Sequence, residues 1–148
     1  MLTTCSFLVN AQTDLYIKIR QLIHDAQPEI ITDNKLIAFN SWSSDNTESR
    51  EANKGFEKVY KIYEYARLKG GLKGVVVITV NRDPLSSMAA ITLKKDGIVK
   101  LVSVNAADIK DLPLATGKNI VFDSDGKEVY RDLEPSKIFT SFNQLITR

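Results

Sequence analysis

The chain has 148 residues, a formal net charge of +2 from 20 basic and 18 acidic side chains, and 43% hydrophobic residues. That is the size of one domain, with enough apolar material to bury a core without metals or cross-links. The charge balance and the lack of a Lys/Arg cluster with interleaved aromatics argue against nucleic-acid binding, and no apolar run has the length of a membrane span. One cysteine, Cys5, and one histidine, His24, leave no pair for an internal disulfide or a zinc site and make Cys/His and Ser/His/Asp catalysis improbable. Nothing in the composition implies a cofactor or a bound metal.

The first segment, "MLTTCSFLVNAQ", carries no charge. Its "VNA" has the small-x-small shape of a signal-peptidase site with cleavage after Ala11, so residues 1–12 read as a signal-peptide remnant and the protein as exported, periplasmic by preference. The missing basic flank and the short apolar core count against that reading, and the alternative is a floppy or strand-like N-terminus of a cytoplasmic protein. "LTTC" is a poor lipoprotein signal for Cys5. Residues 13–148 read as one domain.

Asp14–Ala26 places Leu15, Ile19, Leu22 and Ile23 at helical spacing, with Ile17 off the face, and Pro28 ends it. "KLIAFNSW", residues 35–42, is a buried strand followed by a loop, "SSDN". Thr47–Lys69 reads as one long helix with Phe56, Val59, Tyr63 and Ala66 on its apolar face, widened by Tyr60 and Ile62. Gly55 weakens it and permits a bend, and "KGG" at 69–71 stops it. "GVVVITV", residues 74–80, is a β-branched run buried on both faces. Asp83 then reads as a helix N-cap with Pro84 at the first helical position, opening a helix to Lys95. Ile98–Val104 alternates as a strand, and Asn119–Leu133 forms a hairpin around "DSDG". The last segment is a helix with Pro135 in its first turn and Ile138, Phe139, Phe142, Leu145 and Ile146 on one face. The order of elements gives an α/β domain: a central mixed sheet with helices on both faces, closed by an antiparallel pair, plus an N-terminal helical extension.

Three motifs share a pattern. "NSW" at 40–42 precedes "SSDNTESR", "ITVNRDP" spans 78–84, and "NIVFDSDGKEV" spans 119–129. In kind and separation these resemble the TlpA-like, redoxin branch of the thioredoxin superfamily, over roughly three-quarters of the chain. The resemblance implies a thioredoxin-like fold. It also sets Asn46 and Ser49 where that family carries its Cys-x-x-Cys, with Arg50 matching the basic residue after it. Thiol exchange needs a thiolate attacking a disulfide sulfur, so an amide and a hydroxyl rule out thiol-disulfide oxidoreductase and peroxiredoxin activity. The family's cis-proline position falls at Gly117, with Pro113 as a candidate only if the loop is longer.

What stands in the vacated site is then a helix terminus. Asn46 is a favoured N-cap, with Asp45 and Glu48 as a competing capping pair. The alternative is that exposed N–H groups beside Arg50 bind a carboxylate or phosphate. The expected surface comprises Trp42, Ser44, Asp45, Asn46, Thr47, Ser49 and Arg50 with Gly117 and Lys118, within Ala115–Asn119. Its expected partner is a protein or extended peptide, with new non-thiol chemistry or a structural, homo-oligomeric role as alternatives. The "DSDG" turn lacks the distal ligands of a calcium loop, and the Asp108/Asp111 and Asp123/Asp125 pairs read as solvated turn residues.

Overall fold

A computed structural model describes the backbone of residues 2–108 and 116–147, and side chains within 14–107 and 116–147. The side chains of Cys5 and Asp108, and all of Asp111, Pro113 and Ala115, lie outside the described residues.

In chain order the elements are α1 (Leu2–Ala26), β1 (Leu36–Trp42), α2 (Thr47–Tyr63), β2 (Arg67–Leu68), β3 (Leu72–Lys73), β4 (Val75–Asn81), α3 (Ser86–Lys95), β5 (Val102–Asn105), β6 (Asn119–Phe122), β7 (Glu128–Arg131) and α4 (Ile138–Asn143), the last entered through a 3-10 turn at Pro135–Lys137. The main sheet runs β5-β4-β1-β6-β7. β1 lies parallel to β4, from Leu36 opposite Val75 to Trp42 opposite Asn81, and β5 continues the parallel set. β6 is antiparallel to β1, and β7 to β6.

Every residue of β1 and of β4 is buried, which is why Leu36–Phe39 and Val75–Ile78 read as continuous apolar runs rather than alternating ones. Because side chains alternate along a strand, Leu36, Ala38, Val75 and Val77 pack with Phe56, Val59, Tyr60, Ile138 and Phe142 of α2 and α4. Ile37, Phe39, Val76, Ile78 and Val80 pack with Tyr16, Ile19 and Ile23 of α1 on the other face. Fully burying each such side chain contributes roughly 1.5–3 kcal/mol. Phe56 meets Phe142 edge to face at 6.2 Å.

Several expectations need correction. α1 begins at Leu2 rather than Asp14, since no Pro or Gly lies between to stop it. α2 ends at Tyr63, and the chain turns into the β2–β3 hairpin, where Gly70 and Gly71 adopt φ values of +83° and +78° that other residues resist. "KGG" is therefore a hairpin turn, and Ile62 is exposed rather than part of the core face. Gly55 serves close approach: a Cβ there would come within 3.2 Å of Ile138 Cδ1. α3 starts at Ser86, capped by the Leu85 backbone without a side-chain bond, so Asp83 is not its cap and Pro84 precedes the helix. β5 begins at Val102, four residues after the expected start at Ile98, because the preceding backbone is taken by Glu57: its carboxylate, buried on α2, accepts bonds from the N–H groups of Val99, Lys100 and Leu101.

Candidate functional site

The site forms where β1 and β4 end side by side and the chain loops into α2. Asn46 is the N-cap of α2, in extended conformation at φ −104°, and its Oδ1 accepts a bond from Ser49 N at 2.8 Å. The competing cap is not used: Asp45 accepts instead from Ser43 Oγ at 2.7 Å. Ser49, buried in the first turn, donates from Oγ to Asn46 O and accepts from Ser43 N. Ser41 N donates to Lys118 O at 2.9 Å and Gly117 N to Ser41 O at 2.8 Å, which lays the 116–118 segment against the end of β1. That brings Gly117 opposite Asn46. A Cβ on Gly117 would lie 3.9 Å from Asn46 Nδ2, and the residue's φ of +85° is one that glycine alone adopts freely.

Sequence reasoning missed the residues that hold this loop. Asp83 Oδ1 accepts from Ser44 N at 2.9 Å, and its Oδ2 accepts from Ser44 Oγ and from Asn81 Nδ2. Burial alone would raise this carboxyl; the donors from Ser44 and Asn81 outweigh it and hold it below the usual carboxylate range. Thr92 Oγ1 donates to Ser44 Oγ, tying in α3. Arg50 makes a two-pronged pair with Asp96, 2.9 Å from Nε and 2.8 Å from Nη2, which lowers the Asp96 carboxyl and raises the Arg50 guanidinium. Beneath the loop, Asn40 donates to Ser49 O and to Asn53 Oδ1, and Thr79 Oγ1 also donates to Asn53 Oδ1 at 2.6 Å. A signal for this layer was present: Asn40 and Thr79 are polar residues inside strands that are otherwise buried on both faces.

The expected surface residues therefore separate. Trp42 and Ser49 are buried, Trp42 fully, with its indole N–H unpartnered among the described residues, so neither meets a partner directly. Ser44, Asn46, Arg50 and Gly117 are half-buried, and Asp45, Thr47 and Lys118 are exposed. Arg50 is committed to Asp96, which removes it from the anion-binding reading. Asp123 Oδ1 accepts the N–H groups of Asp125 and Lys127, which makes "DSDG" a turn held by its own aspartate. No peptide bond among the described residues is cis.

The architecture matches solved structures. The thioredoxin domain of a thiol-disulfide oxidoreductase from Bacteroides vulgatus superposes with a TM-score of 0.62 at 16% identity, over 78% of this chain and 81% of that one. This chain has the thioredoxin fold. A thiol:disulfide interchange protein from Bacteroides sp. gives 0.61 at 17% identity, over 76% and 73%. A secreted disulfide oxidoreductase from Mycobacterium tuberculosis gives 0.56 at 10%, over 76% and 84%. No protein-family profile and no curated protein matches the sequence. No helix among the described residues is long and apolar enough to cross a membrane.

Proposed function

We propose that this thioredoxin-fold chain is redox-inactive and acts by binding a protein or extended peptide. The observation that carries the reading is Asn46 at the N-cap of α2, bonded to Ser49 N and facing Gly117. In a thiol enzyme the positive end of a helix holds a nucleophilic sulfur; here it holds an amide that satisfies the backbone, a contribution of about 1 kcal/mol to the helix. Non-thiol catalysis is disfavoured by the same geometry, since Ser44, Ser49 and Arg50 spend their polar groups inside the protein. The contact surface is the accessible part of the cleft: Ser44, Asp45, Asn46, Thr47, Gly117 and Lys118. Export fits the uncharged N-terminal segment and the Mycobacterium tuberculosis relative described as secreted.

The test uses the Cys5→Ser chain and insulin. Reduction of insulin by dithiothreitol is expected to run at the uncatalysed rate, while alkylated insulin B chain, an extended peptide without free thiols, shifts the backbone amide signals of Ser44–Thr47, Gly117 and Lys118. Catalysed reduction without Cys5 would refute redox inactivity, and silence at those amides would refute peptide binding by the cleft.

A further inference from the structure

The end of the sheet away from the cleft carries a cavity of its own. β1 enters the sheet at Leu36 and reaches the cleft only at Trp42. Beside its start, a cavity of about 240 Å³ opens between the β2–β3 turn and the β6–β7 turn. Its floor is apolar: Leu36, Leu68 and Leu72 are buried members of the core packed on α2, and Val129 and Leu145 are half-buried against that core. The walls are fixed by the fold. Lys69 N donates to Leu145 O at 2.8 Å, which straps the C-terminal segment onto the hairpin, and Asp123 N donates to Lys127 O at 2.9 Å across the other turn. The Tyr16 hydroxyl donates to Ser124 O and ties that turn to α1.

The mouth of this cavity carries both signs of charge. Lys69 stands on the β2–β3 turn, and Asp123 and Asp125 stand on the β6–β7 turn. Lys69 and Asp125 are exposed, and neither side chain makes a hydrogen bond or ion pair with a described residue. Asp123 is half-buried and keeps Oδ1 on the N–H groups of Asp125 and Lys127. At about 240 Å³ the cavity falls below the roughly 300–1,000 Å³ of sites for drug-sized ligands, so what fits it is smaller.

We propose that this cavity binds a small zwitterion with an apolar side chain, namely a free aliphatic α-amino acid. Its side chain enters among the leucines of the floor, its ammonium faces the aspartates and its carboxylate faces Lys69. Charge complementarity selects this class. An apolar acid satisfies Lys69 but is repelled by the aspartates, and an apolar amine satisfies the aspartates but is repelled by Lys69. A neutral apolar ligand closing the mouth takes water from these charges and returns no hydrogen bond to either. An apolar residue inside a protein chain has neither charge beside its side chain, so a second copy or a foreign segment leaves the rim unmatched. The inference does not depend on the cleft binding anything, because the two sites lie at opposite ends of β1.

The experiment titrates the isotope-labelled full chain with L-leucine and three analogues: isocaproate, which lacks the ammonium; isoamylamine, which lacks the carboxylate; and glycine, which lacks the side chain. L-Leucine is expected to move the amides of Lys69, Leu72, Asp125 and Val129. Each analogue is expected to bind at least about tenfold more weakly. Lys69→Gln and Asp125→Asn change exposed side chains, so both variants are expected to keep the thermal unfolding of the parent while each weakens L-leucine about tenfold. Lys118→Glu, in the cleft, leaves the affinity unchanged. No movement at these amides with L-leucine, an analogue that binds as tightly, or full affinity in either cavity variant would each overturn the proposal.

Discussion

The loop from Ser43 to Arg50 and the outer face of α3 lie side by side, joined by the Thr92 to Ser44 bond, yet they are built on opposite terms. The loop looks reactive in sequence, rich in Ser, Asp, Asn and Arg, but Ser43, Ser44, Asn46, Ser49 and Arg50 each bond within the protein. The face of α3 looks like an unremarkable short helix, but it leaves large apolar side chains in water. Satisfied polar groups hold a shape; unsatisfied apolar ones ask for a partner. The contrast teaches that polar residue types alone do not mark an available surface, because most of this loop's polar groups hold its own shape.

The comparison is broken most easily from below. Asn53→Ala removes the acceptor shared by Asn40 and Thr79 and leaves two buried donors without it. The expected cost is about 3 kcal/mol, read from urea unfolding, with the loss spread into the loop because Asn40 also holds Ser49 O. A cost under about 0.5 kcal/mol, the range of ordinary surface changes, would mean the layer does not hold the site.

Asp96→Asn comes next. It unpairs Arg50 and is expected to cost about 1–3 kcal/mol near neutral pH. Asp96 and Asp83 fix the pH dependence. Both the Asp96 and Asp83 carboxyls titrate below their ordinary value in the folded protein. Their contribution is therefore fully present above the unfolded carboxylate pKa of about 4 and is lost as pH falls through the lower folded values. Unfolding measured from pH 7 down to 2 is expected to show wild type and Asp96→Asn converging at the acid end; parallel curves would contradict the pairing.

Smaller still is the cap. Asn46→Ala is expected to cost about 1 kcal/mol, and Asn46→Asp to keep most of the stability, since a carboxylate also accepts from Ser49 N and suits the positive helix end. The least effect is expected on the other side of the comparison. Met88→Ser/Ile91→Ser should change stability by less than about 0.5 kcal/mol, because both side chains are largely exposed to water already. A large loss in thermal or urea unfolding would show that these two side chains of α3 belong to the core.

Much of this was legible in the sequence. The strand at Val75–Asn81 announces itself by a β-branched run, that at Leu36–Trp42 by the short apolar run Leu36–Phe39, and Asn46 announces itself as a cap by its type and place. The errors have local causes. Asp83 before Pro84 carries every mark of a helix cap, but two donors on Ser44, distant in sequence, compete for its carboxylate and win. The helical pattern of Phe56, Val59 and Tyr63 continues into Ala66, yet paired glycines at 70 and 71 make a hairpin cheaper than another helical turn. Arg50 resembles a free cation until α3 folds back and delivers Asp96 to it. Long-range partners of polar groups are what one sequence conceals, and they decided which residues of the cleft remain available.

The central claim is that this thioredoxin fold keeps the position of a thiol site but not its chemistry. The most direct measurement compares the Cys5→Ser chain with the same chain carrying Asn46→Cys and Ser49→Cys, each incubated with oxidised glutathione and analysed by mass. The account predicts no adduct and no loss of mass in the first, and a two-proton loss in the second as the paired thiols close on each other at the start of α2. The first chain, which has no thiol, is the control; two cysteines in the second that bind glutathione separately and never pair would contradict the account.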